Sequence, residues 1–237
     1  MCQALKMTIK EKSVQNNKYI TCTWDEESDC LNCKINGKLN CKWEVKLLLK
    51  VYKILLPPIL LGFLGFIVVG LNVSWIPLFI NIIFWILFFF IIEIRIICSH
   101  CPYYAKEGKV LHCLANHGLP KLWAYHPEPM NIFEKLGFLG GAVFFVLFPI
   151  VTDLYGLYIL WNQYKTVDIT ITTLTGLALL SSIAGVYFFI AVRRNVCPKC
   201  VNFSCPLNKV PKEIVDAYLE NNPVMKEAWE TDGYKLG

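Results

Sequence analysis

Pairs of thiols separated by two residues occur three times in this chain, at Cys30/Cys33, Cys98/Cys101 and Cys197/Cys200. The spacing matters because two thiolates on one tight turn can ligate a single ion, and tetrahedral zinc sites use such pairs. Two of the pairs stand at the ends of long apolar runs, in Cys98-Ser99-His100-Cys101-Pro102 and Cys197-Pro198-Lys199-Cys200.

Each pair belongs to a larger set. Near the N-terminus, Cys22, Cys30, Cys33 and Cys41 follow C-x7-C-x2-C-x7-C, a complete four-thiolate site by count, for zinc or iron. The two ends of that set resemble each other, Cys22-Thr23-Trp24-Asp25 and Cys41-Lys42-Trp43-Glu44, and Asn36-Gly37 between them signals a turn. So few residues bury little core, and a metal is the natural staple. Further along, Cys98, Cys101, Cys113 and His117 give C-x2-C-x11-C-x3-H; His112 in place of Cys113 gives C-x2-C-x10-H-x4-H. Cys197, Cys200 and Cys205 add three ligands in the tail. The preferred arrangement joins Cys98/Cys101 with Cys197/Cys200 in one four-thiolate clip, because both pairs start at helix ends on the same face. Cys113 and Cys205 are then spare, for a second site, a reactive thiol or an open catalytic position. Cys-Pro follows the iron–sulfur habit at Cys101, Cys197 and Cys205. The C-x2-C-x2-C run is missing, so zinc is the expected metal and iron or an iron–sulfur cluster the alternative. His100 and His126 read as solvated loop residues.

The elements that must position these groups are apolar. Hydrophobic residues make up 55% of the 237 and charged ones 17%, outside the range of soluble domains. No charge falls between Lys53 and Glu93, Lys135 and Asp153, or Asp168 and Arg193. The pattern predicts four spans, at about 47–71, 76–97, 136–160 and 170–192. The expected fold is all-α: a four-helix transmembrane bundle with small cysteine-rich, metal-stapled cytoplasmic segments. These are a head at 1–46, a Cys/His-rich loop at 98–135 and a tail at 193–237, with transmembrane hairpins at 47–97 and 136–192. The first apolar run begins near Leu47 after a lysine-rich stretch, unlike a secretory signal.

An even number of spans puts head, loop and tail on one side. Of the 23 Lys and Arg residues, only Lys165 falls on the other. Basic loops stay inside, so the expectation is a multi-pass cell-membrane protein with both termini cytoplasmic. The cytosol keeps thiols reduced, which favours metal binding or catalysis over disulfides. The net charge of +5 reads as membrane orientation rather than nucleic-acid binding.

Local features complete the expectation. Residues 1–18 lack apolar periodicity and read as a frayed segment. Pro57-Pro58 and Pro149 should kink their helices. Gly137-x3-Gly141 offers close packing. Glu93 and Arg95, near a helix end, read as an interface pair reaching water, with a buried carboxylate in an ion path as the sharper alternative. Asp153 reads as a far-interface residue. Tyr103, Tyr104, Trp123 and Tyr125 suit a loop lying on the membrane surface. In the tail, Pro211 begins an amphipathic helix with Ile214, Val215, Tyr218 and Leu219 on one stripe, and Pro223 begins another. No Walker loop, dinucleotide fingerprint or nucleophile elbow is present. The functional expectation is a membrane-surface docking or scaffold module held by zinc, in contact with the bilayer and with a cytosolic protein or a lipidic small molecule. The alternatives are a redox protein with an iron–sulfur cluster and a metal- or thiol-dependent enzyme on a lipidic substrate.

Overall fold

Among the described residues, four helices are long and apolar enough to cross a membrane. In the computed structural model, which describes residues 21–25 and 28–237, they are α1 (Val45–Asn72), α2 (Ile76–Leu87, running on as a π-helix over Phe88–Cys98), α3 (Ile132–Tyr164) and α4 (Ile169–Asn195). The frayed reading of 1–18 lies outside the described residues. Two short helices follow, α5 (Lys212–Glu220) and α6 (Pro223–Thr231). Among the described residues there is no strand, only an isolated antiparallel pairing of Val110 with Pro120.

Local signals set the helix starts. Asn131 and Glu134 form a reciprocal capping box at the start of α3. The Asp168 carboxylate accepts the Ile171 N–H at 2.8 Å at the start of α4. As continuous helices, α1 runs through Pro57-Pro58 and α3 through Pro149. Within a long apolar helix, the many remaining backbone bonds hold the turns that lack a proline N–H.

Small residues decide the packing, with α3 touching α1, the π-helical end of α2, and α4. Any Cβ at Gly62 would stand 2.9 Å from Pro149, one at Gly156 2.7 Å from Val69, and one at Gly141 2.7 Å from the Phe88 ring. The glycines therefore let neighbouring helices approach where side chains would hold them apart. Asp153 is not at an interface. It is fully buried against Gly65, and neither carboxylate oxygen has a hydrogen-bond partner among the described residues. An alanine at Gly65 would drive its Cβ into that carboxylate. Gly65→Ala is expected to lose about 1–3 kcal/mol, the usual cost of overpacking. Adding Asp153→Ala should recover most of it, measured by denaturation in detergent micelles; an unaltered Gly65→Ala protein would show that this contact is not tight.

Head, loop and tail interlock into one surface body. Ile35 and Leu39 from the head, Tyr103 and Leu114 from the loop, and Val215, Tyr218 and Trp229 from the tail share one core. The two tryptophans of the head's repeated motif dock it. The Trp24 indole donates to Pro102 O at 3.1 Å, and the Trp43 indole donates to Cys113 O at 3.0 Å. The Cys22 N–H donates to Asn222 Oδ1 at 2.7 Å, and Thr23 and Tyr218 hydroxyls meet at 2.8 Å. Gly37 takes a positive φ of 72° in the predicted turn. Tyr103 and Tyr104 are buried rather than spread on the surface, at 2% and 3% exposure. The stripe predicted on α5 is the buried one, with Val215, Tyr218 and Leu219 facing inward.

Candidate functional site: a thiol-lined cavity at the ends of the bundle

Between the helix ends and the surface body lies a cavity of about 240 Å³. Six cysteines line it: Cys98, Cys101 and Cys113 from the second span and loop, and Cys197, Cys200 and Cys205 from the tail. The expected clip of two pairs is thus part of a larger thiol group that also takes in Cys113 and Cys205. None of the ten described cysteines is in a disulfide. Phenylalanines from three helices form the cavity's apolar walls, among them Phe89, Phe138, Phe145 and Phe188.

The π-helical end of α2 orients this wall. Its backbone bonds run from i to i+5, as in Ser99 N–H to Ile94 O at 3.0 Å. That pattern stacks residues five apart, so Glu93 and Cys98 share a face, where an α-helix would turn them apart. Both line the cavity. Glu93 thus faces the cavity: the residue is half-buried, and its Oε2 is buried with no hydrogen-bond partner among the described residues. Arg95 faces elsewhere, 3.5 Å from Glu134.

Asn116 ties the loop to the thiols. Its backbone N–H donates to Cys113 Sγ at 2.9 Å and its side-chain amide to Cys98 Sγ at 3.3 Å. A hydrogen bond from the Cys98 thiol, with backbone N–H groups of Ala115 and Asn116, holds Cys113 below the ordinary thiol range. The others go the opposite way. Burial, then the neighbouring Cys200, pushes Cys101 well up. Burial and Cys205 push Cys200 up to about 12, and burial is the main cause that raises Cys205 to about 11. As free groups these raised thiols stay protonated at neutral pH.

The head thiols form a second group. Cys41 is pushed up to about 12 by burial and then by Cys22, Cys33 and Cys30, so all four predicted ligands are electrostatic neighbours. Beside them runs an open groove of about 890 Å³ that also touches Lys34 and Lys199. Tyr103 stands between the two groups. It is two residues from Cys101, its hydroxyl donates to Asn40 O beside Cys41, and both Cys101 and Cys41 act on it electrostatically.

The finger-like ligand sets of the loop are not assembled. His112 and His117 line neither space and pack instead around Trp43, with His117 stacked on its indole at 4.5 Å. His100 is buried rather than solvated, its Nδ1 2.7 Å from Glu128 O. Among the described residues, no group of three or more His, Cys, Asp or Glu side chains is arranged to hold a single metal ion. Glu93, Asn116 and Asn202 are the site residues that spacing does not reveal; for Glu93 the signal was an acidic residue inside an apolar run. Comparison of the chain with known protein families, curated proteins and solved structures finds no match.

Proposed function

We propose that this is a membrane electron-transfer protein, holding iron–sulfur centres on its two thiol groups and exchanging electrons with a lipid-soluble carrier in the cavity. The observation that carries this reading is the placing of six cysteines on one apolar cavity at the ends of four membrane-length helices. A zinc staple has no use for such a cavity. A four-iron cluster would bind each thiolate through a different iron, so its four sulfurs would stand further apart than the four around one zinc ion. The second group of thiols, in the head, opens on the solvent groove, and Tyr103 lies between the two. This order suits a path from a carrier in the lipid, through two centres, to a soluble partner at the head.

Cys101, Cys113, Cys200 and Cys205 are the ligands assigned to the inner centre, with Cys98 donating to the Cys113 sulfur; Cys22, Cys30, Cys33 and Cys41 are assigned to the outer one. Iron–sulfur centres held there would supply one-electron acceptors, so that a carrier oxidised in the cavity would give two electrons, by way of the centres, to the soluble partner and two protons to water. Charge distribution supports a cytoplasmic position for both centres, since all Lys and Arg except Lys165 lie on the thiol side of the bundle.

Anaerobic purification tests the proposal. The protein should be brown, with iron and acid-labile sulfide in equal amounts and a visible band that bleaches on reduction. Colourless protein carrying zinc would overturn it and return the zinc scaffold to first place.

A further inference from the structure

We infer that the cavity binds a lipid-soluble diphenol, the reduced form of a quinone-type carrier, with one hydroxyl donating to Glu93 and the other to Asn202. The choice of a redox-active ring rests on the electron-transfer reading above; the donor pattern rests on the cavity itself.

Two oxygens on this cavity are buried and lack a hydrogen-bond partner among the described residues, Glu93 Oε2 and Asn202 Oδ1, although the Asn116 side chain also acts on the Glu93 carboxylate as a donor. The orientation of Asn202 is fixed, because its Nδ2 donates to Ile97 O at 2.8 Å. That leaves the amide oxygen unpaired. Leaving buried polar atoms unpaired is costly, and a ligand that supplies the missing donors removes the cost. The walls fix the rest of its chemistry. Phe88, Phe89 and Phe145 present aromatic surface, which packs well against a flat ring. The volume, about 240 Å³, excludes a whole phospholipid and, with its thiol side left to the inner centre, takes no more than one small ring. The surrounding helices are apolar on their outer faces, so a ligand arriving from the bilayer meets little polar surface. A flat apolar ring with two hydroxyl donors meets all three requirements. The oxidised ring has only carbonyl acceptors, which would set oxygen against oxygen at both positions. The site therefore prefers the reduced form.

The test is an anaerobic calorimetric titration of the whole protein in phospholipid nanodiscs. Three probes share one ring: a decyl-substituted benzohydroquinone, its dimethyl ether and the corresponding quinone. The hydroquinone should bind at least about tenfold tighter than the ether, the scale of one well-made buried hydrogen bond. Glu93→Leu and Asn202→Leu should each weaken the hydroquinone by a similar factor and leave the ether unchanged. Equal affinity of wild-type protein for hydroquinone and ether, or binding of neither, would overturn the inference without recourse to any variant. Metal analysis of the same sample separates the two readings. Zinc-holding protein that prefers the hydroquinone would sink the redox proposal and keep the site; iron-holding protein that binds neither probe would do the reverse.

Discussion

Replacing Cys101 with serine and replacing Cys200 with serine are each expected to remove nearly all of the inner centre's iron, and the double variant should lose no more. The two residues come from different segments, the loop after α2 and the tail after α4, yet both line one cavity and Cys200 acts electrostatically on Cys101. Serine offers a hard, protonated oxygen in place of a soft thiolate, which iron–sulfur centres tolerate poorly. Cys41→Ser should spare this iron and lose the outer centre's instead, because its thiol neighbours are Cys22, Cys30 and Cys33. Iron and sulfide assays on the five purified proteins, wild type included, read the partition directly. Separate, additive losses from Cys101→Ser and Cys200→Ser would mean that loop and tail hold different metals. Cys98→Ser should be milder, since a serine hydroxyl can still donate to the Cys113 sulfur as the Cys98 thiol does.

Trp229→Ala is expected to destabilise the surface body by about 3–5 kcal/mol, the range for emptying a buried aromatic site. Domain stabilities run to only about 5–15 kcal/mol, so this is a large share. Trp229 is 6% exposed and belongs to the core shared by head, loop and tail. Its indole N–H donates to Pro127 O at 3.0 Å, and its ring meets Tyr234 at 5.1 Å and Phe203 at 6.3 Å. The truncation thus opens a cavity and leaves a loop carbonyl unpaired at once. Near-ultraviolet circular dichroism during denaturation should show the loss, while the apolar helices keep their far-ultraviolet signal. Trp229→Phe should cost less, because it keeps most of the buried ring. A Trp229→Ala protein that melts like wild type would show that α6 is not docked on the loop.

Some of this was legible in the chain because it depends on local order. Helix length and hydropathy follow from runs without charge, which is why four membrane-length helices could be read directly. The amphipathic stripe of α5 follows from a 3.6-residue period, and the turn at Gly37 from its dipeptide. The thiol pairs were visible as spacing, as was the head's repeated tryptophan motif. Sequence could not say what those tryptophans touch, since Trp24 and Trp43 reach carbonyls of the loop, 78 and 70 residues away.

Tertiary structure decided the site. Spacing made His117 and Cys113 look like partners in a finger, but the head brings Trp43 against His117 and takes that imidazole into an aromatic stack. Glu93 looked like an interface residue because it lies near a helix end; the π-helical turn aligns it with Cys98 and faces it into the cavity. Asp153 looked like the far interface until Gly65, on another helix, proved to lie against it. By itself the sequence determined that this protein has four membrane-length helices, a strongly basic side and thiols concentrated on that side, because charge, hydropathy and spacing are written along the chain. Only the folded chain decided that six of those thiols, a buried carboxylate and an aromatic wall meet in one space, because contacts between distant segments depend on helix register and on where small residues let backbones approach.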